Sequence, residues 1–218
     1  MQADANETAA SLADELRAIG AALTLHEPSA EGLAAALPLA RELRALLEGP
    51  PRERWYDHDP VSPIHSPGAR ASYGDQSPIR GRRNPVAPPL VLERVGGPDG
   101  PRMRGEVTFS RAYEGPPHGV HGGFVAALFD EVLGAAQGLV PPPGVTALLE
   151  IRYRHVTPIE EPLRFEAWIA DERERRIEAH ATCHAGDTLT ADARGTFVRV
   201  DFEAVQQRMA DRRGGAAG

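Results

Sequence analysis

The spacing of apolar positions predicts two helices near the start of the chain. Residues 7–48 are rich in Ala and Leu, and their apolar positions recur at helical intervals. The first helix should stop before Pro28, because the residue preceding a proline is disfavoured in a helix, and Ser29 is a candidate cap for the second. The apolar stripes are Leu12, Leu16, Ile19 and Leu23 in the first helix, and Leu33, Leu37, Ala40, Leu43 or Arg44, and Leu47 in the second.

The second half of the chain predicts strands around a single helix. A turn-rich segment separates two strand candidates, and an apolar helix then begins near Gly122 and ends near Gln137. Its predicted apolar stripe is Val125, Leu128, Phe129, Val132 and Ala136. Gly186-Asp187 is a hairpin signal between the last two strands. This order predicts an α+β fold, an antiparallel sheet wrapped around one long central helix, with a helical extension at the N-terminus. The strand candidates are residues 90–95, 103–111, 145–156, 163–173, 175–185 and 188–202.

The stretch between these two regions is rich in proline and has no clear periodicity. It is interpreted either as a connector lying over the surface or as a disordered linker. The predicted division of the chain is therefore a helical hairpin at 1–49, a proline-rich connector at 50–84, the main domain at 85–203 and a tail at 204–218.

Composition narrows the chemistry. All 24 basic residues are Arg, so Schiff-base lysine chemistry and lysine-containing phosphate loops are excluded. The net charge of −7 disfavours a nucleic-acid binder. A single cysteine, Cys183, cannot form an internal disulfide, and no stretch approaches the length of a membrane span. We therefore expect a cytoplasmic protein without a membrane span.

The candidate chemistry lies at the start of the central helix. Gly122 and Gly123 leave backbone N–H groups unshielded there, and such amides can bind a carbonyl oxygen that is becoming negative. His121 precedes them and can orient the loop. Asp130 lies on a helix face made mainly of small residues. Gly122 and Asp130 are ~12 Å apart along a helix at 1.5 Å per residue, so a site using both must be shared between two subunits.

The segment from Tyr113 to Gly123, with Asp130 and Gly134 after it, resembles the hotdog-fold acyl-CoA thioesterases. Within that family, the Glu-Gly-Pro-Pro lead-in at residues 114–117 resembles that of the phenylacetate-pathway type. Residues 146–154 resemble the family's next strand, and residues 84–89 resemble the entry to its domain. The resemblance spans roughly residues 78–202.

The resemblance implies hydrolysis of an acyl-CoA thioester by a homodimer or homotetramer with shared sites, without a cofactor or metal. It gives Asp130 the role of general base or nucleophile, the Gly122 amide that of polarising the carbonyl, and Thr146 that of helping to place water. His121 would support the loop, and Gly123 would permit the helix start. Arg154, and after it Arg152, are the candidate contacts for coenzyme A phosphates.

Several alternatives stay open at this stage. Glu131 is a rival carboxylate that could instead pair with an Arg, and His118 and His121 have metal-like spacing without a second pair of ligands. The chain departs from the family pattern at two positions. Some relatives carry a water-holding Asn where this chain has Gly115, and the Pro that usually follows the basic residues of the next strand is Val156 here. The competing function is a non-catalytic module that binds acyl-CoA or an acyl carrier. A hotdog hydratase would need a different Asp/His arrangement.

Overall fold

The computed structural model describes residues 2–51, 74–88 and 90–201. Most of the proline-rich connector, the end of the last strand candidate and the tail at 204–218 lie outside these residues. The elements, in chain order, are α1 (Gln2–Leu25), α2 (Ala30–Leu46), β1 (Val91–Gly97), β2 (Gly100–Thr108), a 3₁₀ turn (Arg111–Tyr113), α3 (Gly122–Gln137), β3 (Val145–Tyr153), β4 (Pro162–Glu172), β5 (Arg176–Ala185) and β6 (Thr188–Val198).

The six strands form one antiparallel sheet in the order β1-β2-β4-β5-β6-β3. The central helix α3 packs against β2, β3, β4, β5 and β6. The predicted α+β layout is thus confirmed, including the hairpin at Gly186-Asp187 between β5 and β6. The strand β3 pairs with β6 along one side and forms an edge of the sheet.

Helix α3 packs against the inner face of the sheet because one of its faces is apolar along the whole helix. Every residue of the predicted stripe is buried, together with Leu133, and the stripe meets inward-facing phenylalanines and alanines of the strands. Phe129 and Phe165 pack edge to face with centroids 5.1 Å apart. The buried stripe of α3 is Val125, Leu128, Phe129, Val132, Leu133 and Ala136.

The two N-terminal helices differ in how they pack. Helix α1 buries Ala10 and Ala13, whereas Ile19 and Leu23 of its predicted stripe are 56% and 63% exposed. Ser29 caps α2 as expected, accepting a hydrogen bond from the amide of Gly32 at 3.1 Å. Helix α2 has no buried residue, so its packing into a hairpin with α1 stays a prediction.

Arg199 closes the end of the domain where β6 finishes. All five of its N–H donors are used. Its Nε donates to the carbonyl of Pro142, and its Nη atoms donate to the carbonyls of Val140, Arg173 and Glu174 and to the Glu172 carboxylate. One side chain thereby joins the segment before β3, the β4–β5 turn and the end of β6.

Candidate active site

His121 caps the N-terminus of α3. Its Nδ1 accepts a hydrogen bond from the Gly123 amide at 3.0 Å, and its own amide donates to the Tyr113 carbonyl at 2.9 Å. The backbone of His121 is extended (φ −58°, ψ 128°), as an N-cap residue requires. The expectation that His121 orients the glycine loop therefore has a definite contact behind it.

The Gly122 amide is the donor that this cap leaves free. Among the described residues, no acceptor bonds to it, as expected for the first N–H of a helix. The carbonyl of the same residue accepts a hydrogen bond from the Tyr153 hydroxyl at 2.9 Å, and a Cβ added at Gly122 would lie 3.5 Å from the Tyr153 ring. Gly122 thus offers one unpaired N–H beside an aromatic side chain.

Tyr153 was not among the site residues expected from the sequence. It lies at the end of β3, on the strand face that also carries Leu149 and Ile151, both of which pack against the core. An aromatic residue with a hydroxyl at an inward-facing strand position was the available signal. The period-two pattern records the face of the strand but does not show that the hydroxyl meets the helix start.

Asp130 and Thr146 are brought together. The Thr146 hydroxyl donates to Oδ1 of Asp130 at 3.0 Å, and both residues are exposed. Asp130 projects from the second half of α3, and Thr146 is the second residue of β3. No donor among the described residues bonds to Oδ2, so this oxygen can approach a water molecule or a substrate carbon.

The two halves of the candidate chemistry are not brought together within one chain. Tyr153 contacts Gly122 near the end of β3, and Thr146 contacts Asp130 near its start, so α3 and β3 run in opposite directions. The eight residues from Gly122 to Asp130 still span ~12 Å of helix. A single acyl carbon cannot touch both groups of the same protomer.

Gly115 allows the loop before the helix to fold back on His121. A Cβ at position 115 would lie 2.6 Å from the His121 Cα, closer than real Cβ contacts come. The Gly115 amide also donates to the Gly119 carbonyl at 2.9 Å, which closes the loop on itself. His118, between them, has a positive φ of 61°. An Asn side chain at position 115 therefore does not fit this backbone.

Glu131, the rival carboxylate, is bound by the residues that precede the domain. Its Oε1 pairs with Nε of Arg80 at 2.5 Å, and the Ser77 hydroxyl donates to Oε2 at 3.3 Å. Burial raises the pKa of Glu131, and the nearby Arg80 opposes that rise. Glu131 thus holds the segment around residues 77–80 against α3.

The candidate phosphate contacts lie on the outer face of the sheet. Arg152 stands opposite Asp192 in the register and Arg154 pairs with Asp192 at 2.5 Å, so both point away from the helix. Together with Arg194 and Trp168 they line an open groove of about 660 Å³. No side-chain partner of Arg152 is found among the described residues, so its guanidinium is free to bind an anion.

No group of three or more metal-ligating side chains occurs within residues 2–51, 74–88 and 90–201. In the same part of the chain, no helix is both long and apolar enough to cross a membrane.

No model of a known protein family matches the sequence, and no curated protein is significantly similar to it. Solved structures do match. One, described as a thioesterase superfamily protein, is 30% identical with a TM-score of 0.67, and the match covers 87% of this chain and 94% of that one. Zebrafish thioesterase superfamily member 2 is 16% identical with a TM-score of 0.50, over 60% of this chain and 94% of that one, and shows the fold alone. With its six antiparallel strands around one helix, the chain therefore belongs to the thioesterase superfamily and has the hotdog fold.

Proposed function

We propose that the protein hydrolyses an acyl-CoA thioester to a carboxylic acid and free coenzyme A. The observation that carries the proposal is the exposed Asp130 carboxylate held by the Thr146 hydroxyl at 3.0 Å. The unpaired Gly122 amide at the start of the same helix supplies the second element that acyl transfer needs, a donor for the developing oxyanion. Neither element requires an amine, a metal or a cofactor.

In this mechanism the thioester carbonyl oxygen accepts a hydrogen bond from the Gly122 N–H. Asp130 either takes a proton from an attacking water or attacks the carbonyl carbon itself, and the thiolate of coenzyme A leaves. In the second case water then hydrolyses the mixed anhydride. Thr146 fixes the orientation of the carboxylate through Oδ1, so that Oδ2 points to the reacting water or carbon.

The site is proposed to form between two protomers, with Gly122 from one and Asp130 from the other. This follows from the ~12 Å that separates them on one helix. The edge strand β3 supports the idea, because it carries Thr146 and exposes Val145 and Leu148 at 42% and 47%. An unpaired edge with exposed apolar side chains is suited to pairing with a second copy. A homodimer, or a homotetramer built from two dimers, would then hold paired sites.

Coenzyme A recognition is proposed to use Arg152, with Arg154 beside it. Arg152→Ala should raise KM for an acyl-CoA several-fold and leave KM unchanged for the matching acyl-pantetheine, which has no nucleotide phosphates. Arg173→Ala, at the exposed β4–β5 turn, is the matched control. Equal KM changes for both substrates would contradict a contact between Arg152 and the nucleotide phosphates of coenzyme A.

The primary test is Asp130→Asn. The amide oxygen can still accept the Thr146 hydrogen bond, so the fold should survive while the base and nucleophile are lost. Since general-base catalysis contributes about 10²–10⁴-fold, kcat should fall by at least 100-fold. Asp187→Asn, on the exposed β5–β6 turn, should keep full turnover. Near wild-type activity in Asp130→Asn would refute the assignment.

The acyl group is the finer part of the proposal. The Glu114-Gly115-Pro116-Pro117 lead-in resembles that of the phenylacetate-pathway group, so an aryl-acetyl-CoA belongs beside short, medium and long acyl chains in the screen. Hydrolysis of alkyl substrates only would separate this chain from that group.

A non-catalytic acyl-CoA or acyl-carrier module is the second candidate, and one observation favours it. A water-holding Asn does not fit at position 115, where a Cβ would already press on His121. Mass spectrometry of the protein incubated with acyl-CoA separates the two functions. Free coenzyme A identifies an enzyme, and intact bound acyl-CoA identifies a binding module.

A further inference from the structure

Helix α1 contacts the domain through a short and unusual face. The buried positions are Ala10 and Ala13, and Arg17 follows one turn later with a side chain only 15% exposed. Small side chains let the helix backbone come close to its neighbour, here the 3₁₀ turn Arg111–Tyr113. The later part of the α1 stripe is exposed at Ile19 and Leu23.

Arg17 fixes this contact with directional bonds. Its Nη1 donates to the Asn84 carbonyl at 2.7 Å, and its Nη2 approaches the Arg82 carbonyl at 3.4 Å. Asp14, one turn earlier, bonds Nη2 at 2.6 Å and holds the guanidinium in place. Arg17 therefore joins α1 to the segment that enters the main domain.

Tyr113 connects this contact to the start of α3. Its ring packs edge to face on Phe124, with centroids 4.7 Å apart, and on Phe109 at 5.1 Å. Its carbonyl accepts the His121 amide at 2.9 Å. Burial raises the pKa of the Tyr113 phenol, and Arg17 lies close enough to oppose that rise. The turn is thus held by α1 on one side and holds the helix cap on the other.

We propose that Arg17 is a positioning residue, and that helix α1 supports the Tyr113–His121 contact that aims the free Gly122 amide. The inference rests on the proposed function for its catalytic consequence. The Tyr113 carbonyl fixes the His121 peptide, and the His121 ring fixes the Gly123 amide, so Gly122 lies between two restrained neighbours. If α1 does not dock, the 3₁₀ turn Arg111–Tyr113 loses its support on that side. The Gly122 N–H is then no longer held in the orientation that the thioester carbonyl needs.

The size of the effect follows from how steeply acyl transfer depends on geometry. Misplacing a catalytic group by about 1 Å can lower the rate by about 10²-fold. The Gly122 N–H would still reach the correct orientation part of the time, so the loss of rate should be smaller than that. Arg17→Ala should therefore lower kcat by between about 10- and 100-fold, because the site still contains every reacting group. KM should stay within about twofold, because the coenzyme A contacts on the outer face of the sheet are untouched.

The experiment compares Arg17→Ala, Arg17→Lys and the control Arg41→Ala, an equivalent change on the exposed helix α2. Hydrogen exchange of the His121 amide is measured together with kcat and KM. We expect faster exchange at His121 and a lower kcat in Arg17→Ala. Arg17→Lys, which can still donate to the Asn84 carbonyl, should recover most of both, and Arg41→Ala should match the wild type.

Each outcome has a consequence. If Arg17→Ala shows the same His121 exchange and the same kcat as Arg41→Ala, the positioning role is wrong. If the wild type releases no coenzyme A but His121 exchange still rises in Arg17→Ala, the proposed function fails and the support of the loop stands. If Arg17→Ala does not fold, Arg17→Met takes its place, because it keeps an apolar stem and removes the donors to the Asn84 and Arg82 carbonyls. Wild-type His121 exchange and wild-type kcat in Arg17→Met would contradict the positioning role.

Discussion

A proline at position 122 tests the candidate oxyanion donor most directly, because proline has no backbone N–H. Gly122→Pro replaces the N–H of the first residue of α3 and leaves the rest of the helix in place. Proline is well tolerated at this helix position, because its N–H has no partner within the helix. The preceding residue already has the extended backbone that proline demands, with ψ of 128° at His121.

The expected effects on stability and activity have opposite signs. A proline at a compatible position restricts the unfolded chain and stabilises the fold by about 0.4–1 kcal/mol. The new Cβ meets the Tyr153 ring at 3.5 Å, an ordinary contact that adds no strain. Loss of one oxyanion donor, by contrast, costs about 10²–10³-fold in kcat, equal to about 2.7–4 kcal/mol of transition-state stabilisation.

The assay combines thermal unfolding with steady-state release of coenzyme A. Gly122→Ala is the paired variant, since it adds the same Cβ but retains the N–H. We expect Gly122→Pro to unfold at or above the wild-type temperature with kcat reduced at least 100-fold, and Gly122→Ala to lose at most a few-fold. Turnover by Gly122→Pro within tenfold of Gly122→Ala would refute the role of this amide.

The same variant tests the shared site. Asp130→Asn and Gly122→Pro each lack one half, and a mixed dimer would hold one complete site and one site lacking both. After subunit exchange at equal amounts, about a quarter of the wild-type sites should be active. Activity that stays at the level of the separate variants would contradict a site formed across two protomers.

Three further predictions follow from other parts of the structure. Gly115→Ala should move His121, because the added Cβ would lie 2.6 Å from the His121 Cα. We expect the free energy of unfolding, measured with urea, to fall by about 1–3 kcal/mol and kcat to fall as well. The control Gly96→Ala, which has open space around its Cβ, should change neither quantity. Burial raises the pKa of Glu131, so the folded state binds the carboxyl proton more tightly than the unfolded state does. The stability that this group contributes is therefore lost as pH rises from about 4.5 through the pKa of the folded state. Glu131→Gln should remove this contribution from the pH dependence of the unfolding free energy, and an unchanged pH dependence would contradict the assignment. Burial also raises the pKa of Cys183 to about 11, so the native thiol should resist alkylation at pH 8 and react only after unfolding; rapid modification of the folded protein would be inconsistent with this environment.

The bounds and the buried face of the central helix were largely predictable from the sequence because their signals are local. The two glycines mark the start of α3 and Gly138 marks its end, and the apolar stripe between them is buried as expected. Asp130 and Thr146 are brought into contact, in line with the resemblance that named both. Their catalytic roles stay predictions until the variants are measured.

The N-terminal packing could not be predicted because hydrophobic periodicity does not identify which face finds a partner. Of the predicted stripe, Leu12 and Leu16 are half-buried, whereas Ile19 and Leu23 are exposed. The fully buried positions are instead Ala10 and Ala13, and Arg17 makes the hydrogen bonds to the domain. Close backbone approach favours alanine, and the guanidinium of Arg17 matches two carbonyls that only the folded chain places side by side. A long-range hydrogen bond of this kind leaves no periodic signal.

The five bonds of Arg199 set a practical limit on where this domain can be shortened. A chain cut after Val198 would retain the whole of β6 but would leave the carbonyls of Val140 and Pro142 without that donor. The segment that leads into β3, and so carries Thr146 toward Asp130, would lose two of its hydrogen bonds at the end of the sheet where β3 begins and β6 finishes. The functional boundary of the domain thus lies at a residue outside every strand, and truncation series should be designed around Arg199 rather than around the end of the last strand.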